Sequence, residues 1–308
     1  MVDINFADWD QPLEEVSPYI TMSDRLVLYP NSKVSTTVWD MEDGKILGFL
    51  EGHTHRVVDA EVNSVGGMAV TIAGGPGDVA PSSIKIWSLG TMQCTADLSS
   101  TDYTSTLLQD RLLLGSADGT IKMWDIGGST PVALMDLVGH DGKARSISSS
   151  EISSTVLTGS VDKSVRLWDL RTSQCVRVIM KGHKGVVNSV SMDSACRNAV
   201  SGSDDRTAKL WDLGSGRCIR THQYFSAVHS VMMHESGSSF LVTSDDMSFT
   251  AYSTALGYDD PILHINLSYM CRSGSSYYPS IVASRDLSSL GVCYLKDDAE
   301  RLGVSVWK

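Results

Sequence analysis

An all-β chain of seven successive four-stranded units is the fold class this sequence predicts, on three observations. Trp39, Trp87, Trp124, Trp168, Trp211, Tyr252 and Trp307 are separated by 48, 37, 44, 43, 41 and 55 residues, a repeat period too long for a helix and suited to a supersecondary unit. Short apolar alternations such as Val165, Leu167 and then Val176, Val178 are divided by Gly, Ser, Asp and Asn clusters, the period-two signature of strands joined in hairpins. No window sustains a helical period. Two segments are nearly copies: GSVDKSVRLWDLRTSQC, Gly159 to Cys175, and GSDDRTAKLWDLGSGRC, Gly202 to Cys218.

The units follow in order. The first, residues 11–52, ends its strand at Trp39-Asp40. The second, 53–98, closes on Trp87-Ser88 and carries a long loop, Ala73 to Pro81, where the others have a tight turn. The third, 99–138, has Asp118 six residues before Trp124, and the fourth and fifth, 139–181 and 182–224, repeat that spacing with Asp162 and Asp205. An aspartate there suits a turn, because its side chain bonds the backbone two residues on. The sixth, 225–268, keeps Asp246 but ends on Tyr252-Ser253. The seventh, 269–308, has an insertion around Cys271 to Pro279, and Trp307 ends a third strand. At the other end of the chain Asp3 to Ala7 alternates as a strand would.

Composition narrows the function classes. Hydrophobic residues are 42% and charged residues 20% of the 308, an ordinary globular profile. No run of about 18 apolar residues and no leader pattern at Met1 is present, so no membrane insertion and a cytoplasmic or nuclear location are expected. A net charge of -11 argues against direct nucleic-acid binding, which needs clustered Lys and Arg. Cys94, Cys175 and Cys218 each follow a tryptophan by seven residues, so they are equivalents in successive units and are expected as reduced thiols packed in strands.

Catalytic and metal motifs are wanting. Gly74-Gly75-Pro76-Gly77 lacks the Lys and the helix of a phosphate loop, and His53-Thr54-His55 offers no third ligand. The pairs Asp204-Asp205 and Asp245-Asp246 each contain the turn aspartate, which removes a glycosidase reading. No enzyme activity, cofactor or metal is expected.

The chain is similar to the WD-repeat β-propeller family. The family's Gly-His opening stands at Gly52-His53, Gly139-His140 and Gly182-His183, and its Trp-Asp close at Trp39-Asp40, Trp124-Asp125, Trp168-Asp169 and Trp211-Asp212. The resemblance implies a single domain over residues 1–308: a seven-bladed WD-repeat β-propeller, its ring closed by the N-terminal strand completing the last blade. It implies buried structural sets of His183, Ser201 or Ser203, Asp205 and Trp211, and of His140, Thr158 or Ser160, Asp162 and Trp168. It also places partner-binding positions a few residues after each Gly-His pair, on the narrower face: Arg56 and Val58, Lys143 and Arg145, Asn188, and His229, with Asp204 and Asp245 nearby. A basic half facing an acidic half is expected there.

The function so implied is a non-catalytic protein-protein interaction scaffold or adaptor, a monomeric propeller within a hetero-complex, whose partners are other proteins, acidic or phosphorylated segments among them. One alternative is the substrate receptor of a cullin-RING ubiquitin ligase, because Trp168-Asp169-Leu170-Arg171 matches a pattern that accompanies adaptor docking in some WD-repeat proteins. Others are a permanent subunit of a large assembly and a propeller enzyme.

Overall fold

The computed structural model describes residues 2–4, 21–23, 25–30, 34–63, 67–74, 82–100, 102–128, 130–150, 152–179, 182–246, 248–255, 261–266, 280–283, 290–296 and 301–307. Most of the long loop of the second unit and the insertion from Cys271 to Pro279 lie outside them. Among the described residues every regular element is a β-strand, and the strands form seven four-stranded sheets, each antiparallel in the pairings described.

In chain order the first sheet is β2 (Thr21–Met22), β3 (Leu26–Pro30), β4 (Thr36–Asp40) and β5 (Lys45–Leu50). The second is β6 (Val57–Val62), β7 (Met68–Ala73), β8 (Ser82–Ser88) and β9 (Gln93–Ser100). The third is β10 (Asp102–Leu108), β11 (Arg111–Ser116), β12 (Ile121–Asp125) and β13 (Val132–Leu137). The fourth is β14 (Ala144–Ser150), β15 (Thr155–Ser160), β16 (Val165–Asp169) and β17 (Gln174–Ile179). The fifth is β18 (Val187–Met192), β19 (Asn198–Ser203), β20 (Thr207–Asp212) and β21 (Arg217–Gln223). The sixth is β22 (Val228–Met233), β23 (Ser239–Ser244), β24 (Ser248–Ser253) and β25 (Leu263–Asn266). The last is β26 (Ser280–Ala283), β27 (Leu290–Lys296) and β28 (Arg301–Trp307), completed by β1 (Val2–Ile4). Val2 pairs with Val306 and Ile4 with Val304, so the N-terminus supplies the outer strand of the last sheet as expected.

Contacts divide the chain into two compact units. The first comprises Met1–Gln109, Gly127–Pro131 and Tyr269–Lys308, and the second Asp110–Ile126 and Val132–Ser268.

Within the second unit, burial explains the strand order. β15 and β19 are buried on both faces after their first residue, whereas β17 alternates between exposed and half-buried until Ile179. The core therefore lies between neighbouring sheets. Val187, Val190 and Met192 of β18 pack with Leu157 of β15 and Leu167 of β16, and Val228 and Val231 of β22 pack with Val200 and Leu210 of the fifth sheet. Two glycines permit this approach. A Cβ on Gly159 would stand 2.6 Å from Val187 Cγ1, and one on Gly202 would stand 2.5 Å from Val228 Cγ1.

A seam of serines joins the innermost strands. Backbone N–H groups on an unpaired strand edge need acceptors. Ser146 and Ser148 accept from Val190 and Met192 at 3.0 and 3.2 Å, and Ser189 and Ser191 accept from Val231 and Met233 at 3.1 and 2.9 Å. In the first unit, Asp59 and Glu61 of β6 hold the matching register positions. Asp59 accepts from the Ser105 backbone, and Thr106 Oγ1 donates to Glu61 Oε1 at 3.4 Å. Desolvation pushes the Asp59 carboxyl up to about 7 against those bonds.

The cysteines depart from expectation. Cys94 and Cys218 are exposed and Cys175 is half-buried, because all three sit on outer strands opposite a tryptophan, where only one sheet face is covered.

Candidate functional site

Four innermost strands share one irregularity. The ladder skips a residue between Val57 and Asp59, Ala144 and Ser146, Val187 and Ser189, and Val228 and Ser230. The extra residues are Val58, Arg145, Asn188 and His229. A β-bulge takes its residue out of the pleat alternation and re-aims its side chain, and such bulges gather beside binding sites. Nothing in the residue pattern marks these bulges; four of the eight positions singled out by resemblance, Val58, Arg145, Asn188 and His229, fall on them, and Arg56, Lys143, Asp204 and Asp245 do not.

In the second unit the bulged residues join. Arg145 NH1 donates to Asn188 Oδ1 at 2.9 Å, and Asn188 Nδ2 donates to Asp204 Oδ1 at 2.6 Å and to the Val228 carbonyl at 3.1 Å. His229 Nδ1 stands 3.9 Å from Asp245 Oδ1, with the histidine side chain 56% exposed. Packing lowers the His229 pKa and Arg145 lowers it further, while Asp245 and Asp204 pull it up. Burial raises the Asp245 pKa and Asp204 adds to the rise, while His229 opposes it. Lys143 is half-buried, and desolvation together with Arg145 lowers its pKa. On this unit one cation, Arg145, and one anion, Asp204, are tied through the Asn188 amide. Phe225, 94% exposed, precedes the sixth sheet next to Ser226 and Ala227, whose hydroxyl and carbonyl accept from the Asp246 and Asp245 backbone N–H groups, and it was not singled out by the sequence. Arg56 and Val58 hold the matching positions in the first unit, both half-buried.

Beneath the network, the buried sets fix the turns that carry it. His183 Nδ1 meets Asp205 Oδ2 at 3.0 Å, its Nε2 meets Ser201 Oγ at 2.7 Å, and Trp211 Nε1 donates to that hydroxyl at 2.8 Å. His140, Asp162, Thr158 and Trp168 repeat the arrangement at 2.7, 2.7 and 2.9 Å. Ser201 and Thr158 are therefore the linking hydroxyls. Ser203 and Ser160 instead accept from the Asp205 and Asp162 backbone N–H groups, both at 3.1 Å. Burial lowers the pKa of both imidazoles, opposed by their aspartates. Burial would raise Asp162, but bonds from Ser164 and His140 hold it at about 2.

The second sheet keeps half of this set. His53 Nε2 and Trp87 Nε1 both meet Thr71 Oγ1 at 2.7 Å, while among the described residues the buried His53 Nδ1 has no partner, and desolvation takes the His53 pKa down to about 4. In the sixth sheet tyrosines replace the pair: Tyr224 OH donates to Tyr252 OH at 3.1 Å. Tyrosine at both register positions was the available signal for that staple.

Arg171 closes on its own neighbour, with Nε and NH2 donating to the Asp169 carboxylate at 3.0 and 2.8 Å. Among the described residues no three His, Cys, Asp or Glu side chains gather as metal ligands.

Comparison with known proteins agrees with the fold. The family model described as WD domain, G-beta repeat matches residues 98–125, 132–169 and 173–212. The chain is 26% identical over 135 residues to autophagy-related protein 16 of Arabidopsis thaliana, a match covering 42% of this chain and 25% of that protein, so it spans a quarter of that relative's length. Among solved structures, a chain in the crystal structure of the mitotic checkpoint complex superposes with a TM-score of 0.78 at 15% identity, covering 100% of this chain and 88% of that one. At that identity the likeness speaks to fold alone.

Proposed function

We propose that this chain, whose residues 98–125, 132–169 and 173–212 match the WD-repeat model, is a non-catalytic interaction scaffold of that family that binds other proteins through the bulged row Arg145, Asn188 and His229. The observation that carries this is the bulge at each of these positions. The same ladder irregularity recurs at these three polar residues on three successive sheets. A rigid surface of this kind binds with little ordering cost. We further propose that the protein acts as a monomeric subunit of a hetero-complex in the cytoplasm or nucleus, and that an acidic or phosphorylated side chain of the partner meets Lys143 and Arg145, Arg being suited to bidentate carboxylate or phosphate pairing. The ligase-receptor alternative gains no support from Arg171, whose fork is occupied by Asp169.

The test is affinity capture with Lys143→Glu and Arg145→Glu combined, against the parent chain at matched melting temperature. Loss of a central arginine contact typically costs about 2 kcal/mol or more, roughly thirtyfold in affinity. At least one specific partner should disappear. Retention of every partner would place the interaction elsewhere on the protein.

A further inference from the structure

The polar network of the second unit holds two opposite charges apart. Asn188 stands between Arg145 and Asp204, accepting from one and donating to the other, and its third bond, to the Val228 carbonyl, fixes the amide's orientation. Because guanidinium carries five donors, the single bond from Arg145 to Asn188 leaves most of its fork for a ligand. Asp204 is exposed and Asp245 partly so, 3.9 Å from the His229 ring; burial raises the Asp245 pKa and the charge of Asp204 adds to the rise. A cationic end and a doubly anionic end are thereby presented side by side on one surface, with Phe225 exposed next to the anionic end.

We propose that this surface docks an extended segment of a partner protein carrying an acidic and a basic side chain two residues apart, the acid on Arg145 and the base between Asp204 and Asp245. The spacing follows from the amide. Arg145 and Asp204 are separated by one carboxamide with a hydrogen bond at each side, and alternate residues on one face of an extended chain stand about 6.6 Å apart. Charge complementarity excludes simpler occupants. A wholly acidic segment would press a carboxylate onto Asp204 and Asp245, a wholly basic one would meet Arg145 and Lys143, and like-charge contacts at an interface are costly. A nucleic-acid backbone fails for the first of these reasons. Phe225 supplies apolar area for the residue flanking the base. This rests on the scaffold reading above and specifies the partner's chemistry.

The experiment measures fluorescence anisotropy of the full chain with four labelled peptides of equal length and common flanks, one phenylalanine included, that differ only in the central pair: Glu-x-Lys, Lys-x-Glu, Glu-x-Glu and Lys-x-Lys. One of the mixed orders should bind at least about tenfold tighter than both like-charge peptides, as for a pair of complementary contacts. Arg145→Gln and Asp204→Asn should each erase that preference, and Asn188→Ala should too, by letting the two charges close on each other. All three variants are to be matched to the parent by thermal melt. If Glu-x-Glu binds tightest and Asp204→Asn strengthens it, the surface is a plain anion site: the inference falls and the scaffold reading stands. If no peptide is discriminated, the inference also falls, and the capture experiment then decides separately whether the scaffold reading survives.

Discussion

Asp205 accepts from the His183 ring, from the Lys184 and Thr207 backbone N–H groups and from the Thr207 hydroxyl, whereas the ring nitrogen of His53 that should meet such a carboxylate is buried with no partner among the described residues. Removing an acceptor of this kind leaves several buried donors unpaired, so Asp205→Ala should cost on the order of 1–3 kcal/mol in denaturant melts. The two displaced titrations set opposite pH dependences. His53, lowered to about 4 from an ordinary 6.5, binds its proton more readily unfolded, so its contribution to stability is intact above about pH 6.5 and is lost as pH falls toward 4. Asp59, raised to about 7, binds its proton more readily folded, so stability is lost as pH rises from about 4 toward 7. Asp59→Ser restores the hydroxyl found at Ser146 and Ser189, and the variant should exceed the parent by roughly 1–3 kcal/mol at pH 8, with the gain vanishing near pH 4. An unchanged pH profile would show that Asp59 does not carry this titration.

The elements carry a second set of bulges. At Trp39, Trp87, Trp124, Trp168 and Trp211 the outer strand skips one residue; the extra residue is Thr95 at Trp87, and at the other four it is Leu47, Leu134, Val176 and Ile219, exposed by 46, 43, 57 and 37%. Outer strands present free edges, and a bulge at each twists the edge away from the flat template that another chain would pair with. At the last sheet the edge is covered by the N-terminus instead. Deleting Met1 to Ala7 should strip β1 from β28, lower the melting temperature and shift the protein toward larger species on gel filtration. A truncated chain that stays monomeric with an unchanged melt would contradict the role given to Val2–Ile4.

At the scale of the molecule, seven four-stranded sheets were legible because the aromatic spacing and the two-residue alternation are both long-range properties of the sequence. The buried sets were legible in part. Ser201 and Ser203 lie two residues apart and so on the same face of β19, and only their depth along the strand decides that Ser201 reaches His183 while Ser203 reaches the turn. The site was legible as positions and not as geometry. A bulge leaves no composition behind, and the amide that ties Arg145 to Asp204 joins residues on neighbouring sheets whose pairing no local pattern encodes. The cysteines were placed on strands by their seven-residue spacing from tryptophan, but that spacing does not tell an outer strand, where two of the three are exposed, from a covered one.

The central claim is that partners sit at the bulged end of the second unit. A photoreactive phenylalanine analogue placed at position 225, and separately in place of Val176 on the outer strand, tests this directly in cell extract. The account predicts a specific cross-linked protein from position 225 and none from position 176. Cross-links from position 176 alone would contradict it.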